Sequence, residues 1–464
     1  MIIRYNDGVI NAFISFLGGN MKKGIKSIMA LSLAFVMAAC GGAKDGGKEA
    51  ADGGKEANKD ASAKLSVQVE EAWLPHYEKA AERVKEKFPN AEIEFKTMGA
   101  FDHLDIIDAT DASNEDVADL FAIPADRLYG LHGNDILAAI DSKKLAGEIG
   151  GWDDFDKGIG GNFNIDGEYF AFPFNIETLI TYVNKANAEE KGIDLSKPIE
   201  INDVADESTV LLPIFDAWYG VAATNSSGIE LLGKKEDGTL YSDFTKEWDE
   251  LEPEKQATVK ALFDYWKKHN EAGTQLFDAD AGWGYIDDTF KPGKGGVARL
   301  GGPWDAAPIS EQAGEDNLEI FPISQLTLAG KALTHWQGGW GLAMNARIEE
   351  DADKVAIAEA MIEEIVNPEF AADLYKATGK VLENVSAETY QGMDLPETDK
   401  KIIAATIESY KEAPARPLFK EWGDVWDTYK NAILSWNSVK PADEKAAYAE
   451  LKASFDSMMA NFNH

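Results

Sequence analysis

Apolar and polar positions alternate with two periods along this chain, and the switches between them outline its elements. Leu65, Val67 and Val69 alternate with polar neighbours, which predicts a strand. Tyr77, Ala80, Ala81, Val84 and Phe88 then recur at helical spacing, and Pro89-Asn90 stops that helix. Ala91, Ile93 and Phe95 predict a second strand, and Leu120–Ile123 a third, followed by a helical Leu128/Leu131 pattern. Strand–helix–strand order predicts an α/β layer with parallel strands. Phe170–Phe174 and Leu179–Val183 read as two more strands, joined through Asn175–Thr178. From about Lys354 the pattern is mainly helical. Val355, Ala358, Met361, Ile362 and Ile365 form one stripe, ended by Asn367-Pro368. Phe370, Leu374 and Tyr375 start another that stops at Gly379, and Lys400 to Asn463 reads as three further helices.

The first 64 residues follow neither period. Ile28–Ala39 is a short apolar run behind Lys22, Lys23 and Lys26, and it ends at Cys40, the only cysteine. A basic start, an apolar core and small residues before a cleavage point make an export signal. With cysteine next, the segment resembles a bacterial lipoprotein signal. That resemblance implies cleavage before Cys40, lipid on its sulfur, and an extracytoplasmic, membrane-anchored chain at the cell surface or in the periplasm. The signal reads from Met21, so residues 21–39 are the signal peptide and 1–20 an upstream extension. Val9–Leu17 and Ile28–Ala39 are both shorter than the ~18–20 residues a span needs. Gly41–Lys64 has no aromatic or large aliphatic residue, so residues 40–64 read as a flexible tether.

Charge narrows the function. The chain carries −36, and losing residues 1–39, with four basic residues and one aspartate, takes it to −39. Such a surface repels polyanions, and nucleic-acid binding is excluded for want of clustered Lys and Arg. A lone cysteine allows no internal disulfide, and 45% apolar content supplies cores for two domains. The six histidines lack metal-ligand spacing. Asp278, Asp280 and Gly282 begin like a calcium loop, but Trp283 and Thr289 occupy its glycine and bidentate-acid positions. Gly293–Gly302 lacks the Lys-Ser/Thr ending of a phosphate loop and reads as turns around a short strand. No catalytic residue, metal or cofactor is assigned.

The tryptophans say more. Trp73, Trp218, Trp304, Trp340, Trp422 and Trp426 fall at irregular, often Gly- or Pro-flanked places instead of on periodic core faces. An indole face suits the C–H face of a pyranose, and neighbouring carboxylates and arginines can fix its hydroxyls.

Six segments then occur in a telling order. They are Asp119–Arg127, Gly167–Leu179 with Tyr182–Lys185, Phe290–Trp304, Gly338–Met344, Asn367–Lys380 and Arg416–Trp426. From about Leu65 onward the chain resembles the maltose/maltodextrin-binding proteins of sugar-importing ABC transporters. The resemblance implies an α/β, two-lobed periplasmic-binding-protein fold of type II, with a hinge of crossing segments and a ligand cleft between the lobes. It places the N-lobe at 65–175 plus 341–382 and the C-lobe at 178–338 plus 386–464. It implies that Asp126 and Arg127 hydrogen-bond sugar hydroxyls, that Glu177 does so at the first crossing, and that Trp304 and Trp426 stack on sugar rings. Phe215, Asp216 and Trp218 fall where the family has another carboxylate and aromatic, and Trp340 joins the candidate ligand residues. Two positions depart from the family: Trp73 stands where a polar Asp-Lys pair is common, and Ile123 where a stacking Trp is common. Asp102 and His103 are candidates for the missing polar contact. The expected partners are a malto-oligosaccharide or related oligosaccharide, ABC permease subunits with a cytoplasmic ATPase, and the membrane through Cys40, with the protein a monomer. The alternatives are another oligosaccharide, a polyamine suggested by the acidity, a surface glycoside hydrolase, and a tethered adhesin.

Overall fold

The computed structural model describes residues 60–462. The strands that build the site are β1 (Lys64–Val69), β2 (Glu92–Thr97), β3 (Leu120–Pro124), β4 (Phe172–Glu177), β5 (Ile180–Asn184), β6 (Val210–Leu211), β7 (Ala298–Gly301), β8 (Leu318–Pro322) and β9 (Gly338–Met344). They form two sheets, ordered β2-β1-β3-β9-β4 and β8-β5-β7-β6.

In the first sheet β1 runs parallel to β2 and β3, while β9 is antiparallel to β3 and β4. Leu65, Val67 and Val69 are fully buried. Their polar neighbours Ser66 and Gln68 are buried too, because both faces of β1 are covered. They remain hydrogen-bonded: Gln68 donates to the Met98 carbonyl at 2.9 Å, and the Ser66 hydroxyl accepts from Asp119 N at 2.9 Å. Helix Leu74–Lys87 packs on helices Ala352–Ile365 and Ala371–Thr378. In the second sheet Tyr265, on helix Pro253–Ala272, donates to the Val210 carbonyl at 2.7 Å and accepts from Leu212 N at 2.9 Å. Helix Glu397–Lys411 packs on β8. Helix Val425–Val439 packs on helices Glu444–Phe462 and Ala217–Ser226.

The chain passes between the sheets at Thr178–Leu179, again between β8 and β9, and a third time between Thr378 and Glu397. These passages are stitched together by main chain. Gly338 sits opposite Glu177, Ile176 pairs with Val381, and Gln337 pairs with Ala415. The result is the two-lobed α/β fold expected, with its crossing segments side by side.

Two expectations need correction. β4 runs on through Glu177, so the connection to β5 is Thr178–Leu179 alone and not Asn175–Thr178. The ladder to β9 carries the strand that far. Residues 60–64 are not tether: Ala61 is fully buried, Ser62 N donates to Asp353, and Lys64 opens β1. The signal peptide, Cys40 and the rest of the tether lie outside the described residues. Among the described residues no helix is long and apolar enough to cross a membrane.

Candidate functional site

Beside the stitched crossings, four ionic side chains meet a wall of aromatic rings. β3 ends in a single 3-10 turn, Ala125–Arg127. Such a turn rotates each residue by about 120° from the last, so neighbours point apart. Asp126 turns inward and its Oδ2 lies 2.8 Å from the Arg416 guanidinium. Its Oδ1 is buried with no hydrogen-bond partner. Arg127 turns outward and pairs with Asp108 at the surface. Asp126 and Arg127 thus pair with different ions on different sides of the turn, and Arg416 is the cation beside Asp126.

Glu177 closes β4 and lies diagonally across the ladder from Trp340 on β9, which itself faces Asn175. The Trp340 indole donates to Glu177 Oε1 at 3.2 Å. Burial pushes the Glu177 carboxyl upward, and the charges of Lys380 and Arg416 pull it back. Burial likewise lowers the Lys380 ammonium, and Glu177 opposes that shift. Both groups keep a solvent-facing edge, so they are hemmed in without being sealed. Arg416 is nearly enclosed, and its guanidinium carbon lies 5.2 Å from the Trp218 ring centre, 5.7 Å from Trp336 and 6.0 Å from Trp426. Trp422 extends this wall, 4.8 Å from Trp336 and 4.7 Å from Trp426.

Trp304 follows β7 in a turn fixed from two sides. Tyr182 donates to the Gly302 carbonyl at 2.8 Å, and Asp305 accepts from Gly302 N at 3.1 Å. The indole folds back over Gly302 so closely that a Cβ there would meet it at 2.2 Å. Only glycine leaves that space. Trp304 stays 41% exposed, 6.5 Å from Trp218.

The remaining expectations divide. Asp216 caps helix Ala217–Ser226 by accepting from Trp218 N at 2.9 Å, a structural task that places Trp218. Phe215 is buried against Phe277 and Trp283. Trp73 is buried edge-on to Phe174 and meets the site only through Lys380. Ile123 and His103 are fully buried, and His103 accepts from Ala118 N, so neither lines the cleft. Asp102 is exposed in the first turn of helix Ala100–Ala109. Lys380, Arg416, Trp336 and Phe101, which packs edge-on to Trp340 at 5.3 Å, were not singled out as ligand residues. Lys380 and Arg416 do end or open two of the six ordered segments, which was the available signal. Asp278 accepts from Asp280 N and Ala281 N to start helix Gly282–Thr289. Among the described residues no group of three His, Cys, Asp or Glu is placed to hold a metal.

Behind Trp218 lies fully buried His335, whose Nε2–H donates to the Trp218 carbonyl at 2.7 Å. Burial lowers its pKa from 6.5 to about 3. The folded protein thus binds fewer protons here than the unfolded chain, so stability is complete above about pH 6.5 and is lost as pH falls towards 3. His335 alone should remove on the order of 2 kcal/mol by pH 5. Melting temperatures of the His335→Gln variant should fall less steeply between pH 6.5 and 4 than those of the wild type. Equal slopes would reject the assignment.

Aromatic faces beside buried donors and acceptors suit a neutral ring compound rich in hydroxyls. A family model described as bacterial extracellular solute-binding protein matches residues 79–389. The chain is 25% identical over 440 residues to the maltodextrin-binding protein MdxE of Bacillus subtilis, covering 92% of this chain and 95% of that protein. Its fold is similar to the maltose-binding periplasmic protein MalE of Listeria monocytogenes solved with maltose, at TM-score 0.64 and 20% identity, covering 85% of this chain and 97% of that one. It is also similar to MalX of Streptococcus pneumoniae solved with maltopentaose, at TM-score 0.62 and 20% identity, covering 85% and 99%.

Proposed function

The chain belongs to the family of bacterial extracellular solute-binding proteins, and we propose from that premise that it captures malto-oligosaccharides outside the cytoplasm and delivers them to an ABC importer. The observation that carries this reading is the wall of Trp218, Trp304, Trp336 and Trp426 set beside Asp126, Glu177, Lys380 and Arg416. Stacking tolerates successive similar rings, and the ionic groups select hydroxyl positions. The names of the similar proteins above support the same ligand class. Two cations in the cleft oppose a polyamine.

In this reading residues 65–175 plus 341–382 form the N-lobe, and 178–338 plus 386–464 the C-lobe. The lobes close over the sugar about the crossings, and permease subunits with their ATPase read the closed form. The protein is a non-catalytic monomer, tethered through lipid on Cys40.

Calorimetric titration of the chain from Gly41 onward with maltose, maltotriose and longer maltodextrins, with spermidine as control, tests the proposal. Micromolar or tighter binding without cleavage is expected. Heat with spermidine and none with any α-glucan would overturn it, and sugar hydrolysis would move the protein among the enzymes.

A further inference from the structure

Lys380 is fixed from both sides. Helix Ala371–Thr378 ends at Gly379, whose φ of +68° is a left-handed turn that glycine adopts without strain. Lys380 N then donates to Thr378 Oγ1 at 3.0 Å, and the next residue, Val381, is paired with Ile176 at the edge of β4. From this anchored backbone the ammonium reaches in among three rings. It lies 4.8 Å from the centre of Trp73, 4.8 Å from Trp340 and 5.2 Å from Phe174.

Cation–π attraction offsets part of the cost of desolvating that charge. It does not satisfy three N–H donors, and Lys380 Nζ makes no hydrogen bond and no ion pair with any described residue. Glu177 acts on it through space only. Of the Glu177 oxygens, Oε1 already accepts from Trp340. A crowded ammonium with unused donors, coupled through space to a carboxylate with which it forms no hydrogen bond, suits one small group that both accepts and donates. A sugar hydroxyl is such a group.

Resting on the malto-oligosaccharide reading, we propose that Lys380 is a specificity-determining residue: one ring hydroxyl accepts from its ammonium and donates to Glu177. The sugar ring that carries this hydroxyl lies against Trp340 and Phe101. Lysine thereby enters the cleft from the third crossing instead of from the end of β1, where Trp73 stands. Trp73 becomes the floor that holds the ammonium in place.

The test pairs Lys380→Met, which keeps length and removes the charge, with a series of monodeoxy maltoses measured by calorimetry. Lys380→Met should weaken maltose binding roughly tenfold to a hundredfold, as loss of one charge-assisted hydrogen bond does. Wild-type protein should discriminate against one deoxy position by a similar factor, and the variant should bind that analogue and maltose equally. Unchanged affinity in the variant overturns the proposal, as does weaker binding with wild-type discrimination at every position. Acetic anhydride labelling of the wild type, mapped by mass spectrometry, gives a readout that needs no variant. Bound maltodextrin should slow acetylation of Lys380, and an equal rate overturns the proposal. If wild-type protein binds no maltodextrin, the functional reading fails first, and the Lys380 experiment is not reached.

Discussion

Arg416→Ala is expected to lose about 3 kcal/mol of folding free energy, the low end for stripping one partner from a buried ion pair. The low end applies because Asp126 keeps 27% of its side chain exposed, whereas Arg416 keeps only 6%. Removing the guanidinium strands the Asp126 carboxylate, one oxygen of which already has no partner. It also takes the cation from between Trp218, Trp336 and Trp426. Urea denaturation measures the loss. The double variant Asp126→Asn/Arg416→Met should recover most of that stability, because it leaves neither charge unpaired. It should not recover sugar binding, since the polar contacts are gone. A double variant as unstable as Arg416→Ala would mean that packing, and not the pair, is what Arg416 supplies.

Trp304→Ala should separate binding from folding in the opposite way. An indole with 41% of its surface exposed contributes little to the core. It folds over Gly302, whose main chain Tyr182 and Asp305 fix, and this limits the freedom a stacking ring would lose on binding. Maltodextrin affinity should fall by about 2 kcal/mol, roughly thirtyfold, with the melting temperature nearly unchanged. Wild-type affinity would remove Trp304 from the site. A large drop in melting temperature would make its role structural.

Period and punctuation revealed most of the scaffold. Leu65, Val67 and Val69 gave their strand away because the residues between them are polar although buried, and the Tyr77–Phe88 stripe gave its helix because burial on one face leaves a periodic trace. The end of β4 left none, since Asn175, Ile176 and Glu177 are held by a ladder to residues more than 160 positions away. Of the candidate site, the aromatic cluster was the legible part: Trp304 and Trp426, both expected from sequence, pack on the same Trp218 ring. Adjacency in sequence says nothing about which way two side chains point. Asp126 and Arg127 diverge because a tight turn sends them to opposite sides. Lys380 and Arg416 resemble any surface cation in sequence, and only the crossings bring them under tryptophans. Asp216 has a local task that the sequence did not reveal, capping the helix that carries Trp218.

Main chains paired across the three crossings bend together like one strip, while sliding past each other requires breaking their ladder. On the proposed reading the two lobes would swing like the leaves of a book, with Glu177 and Gly338 at the spine. A group at the spine hardly moves as the leaves swing. On the proposed reading, the carboxylate and the indole that donates to it would keep one position as the leaves swing, a fixed corner for the sugar to dock on before the covers shut.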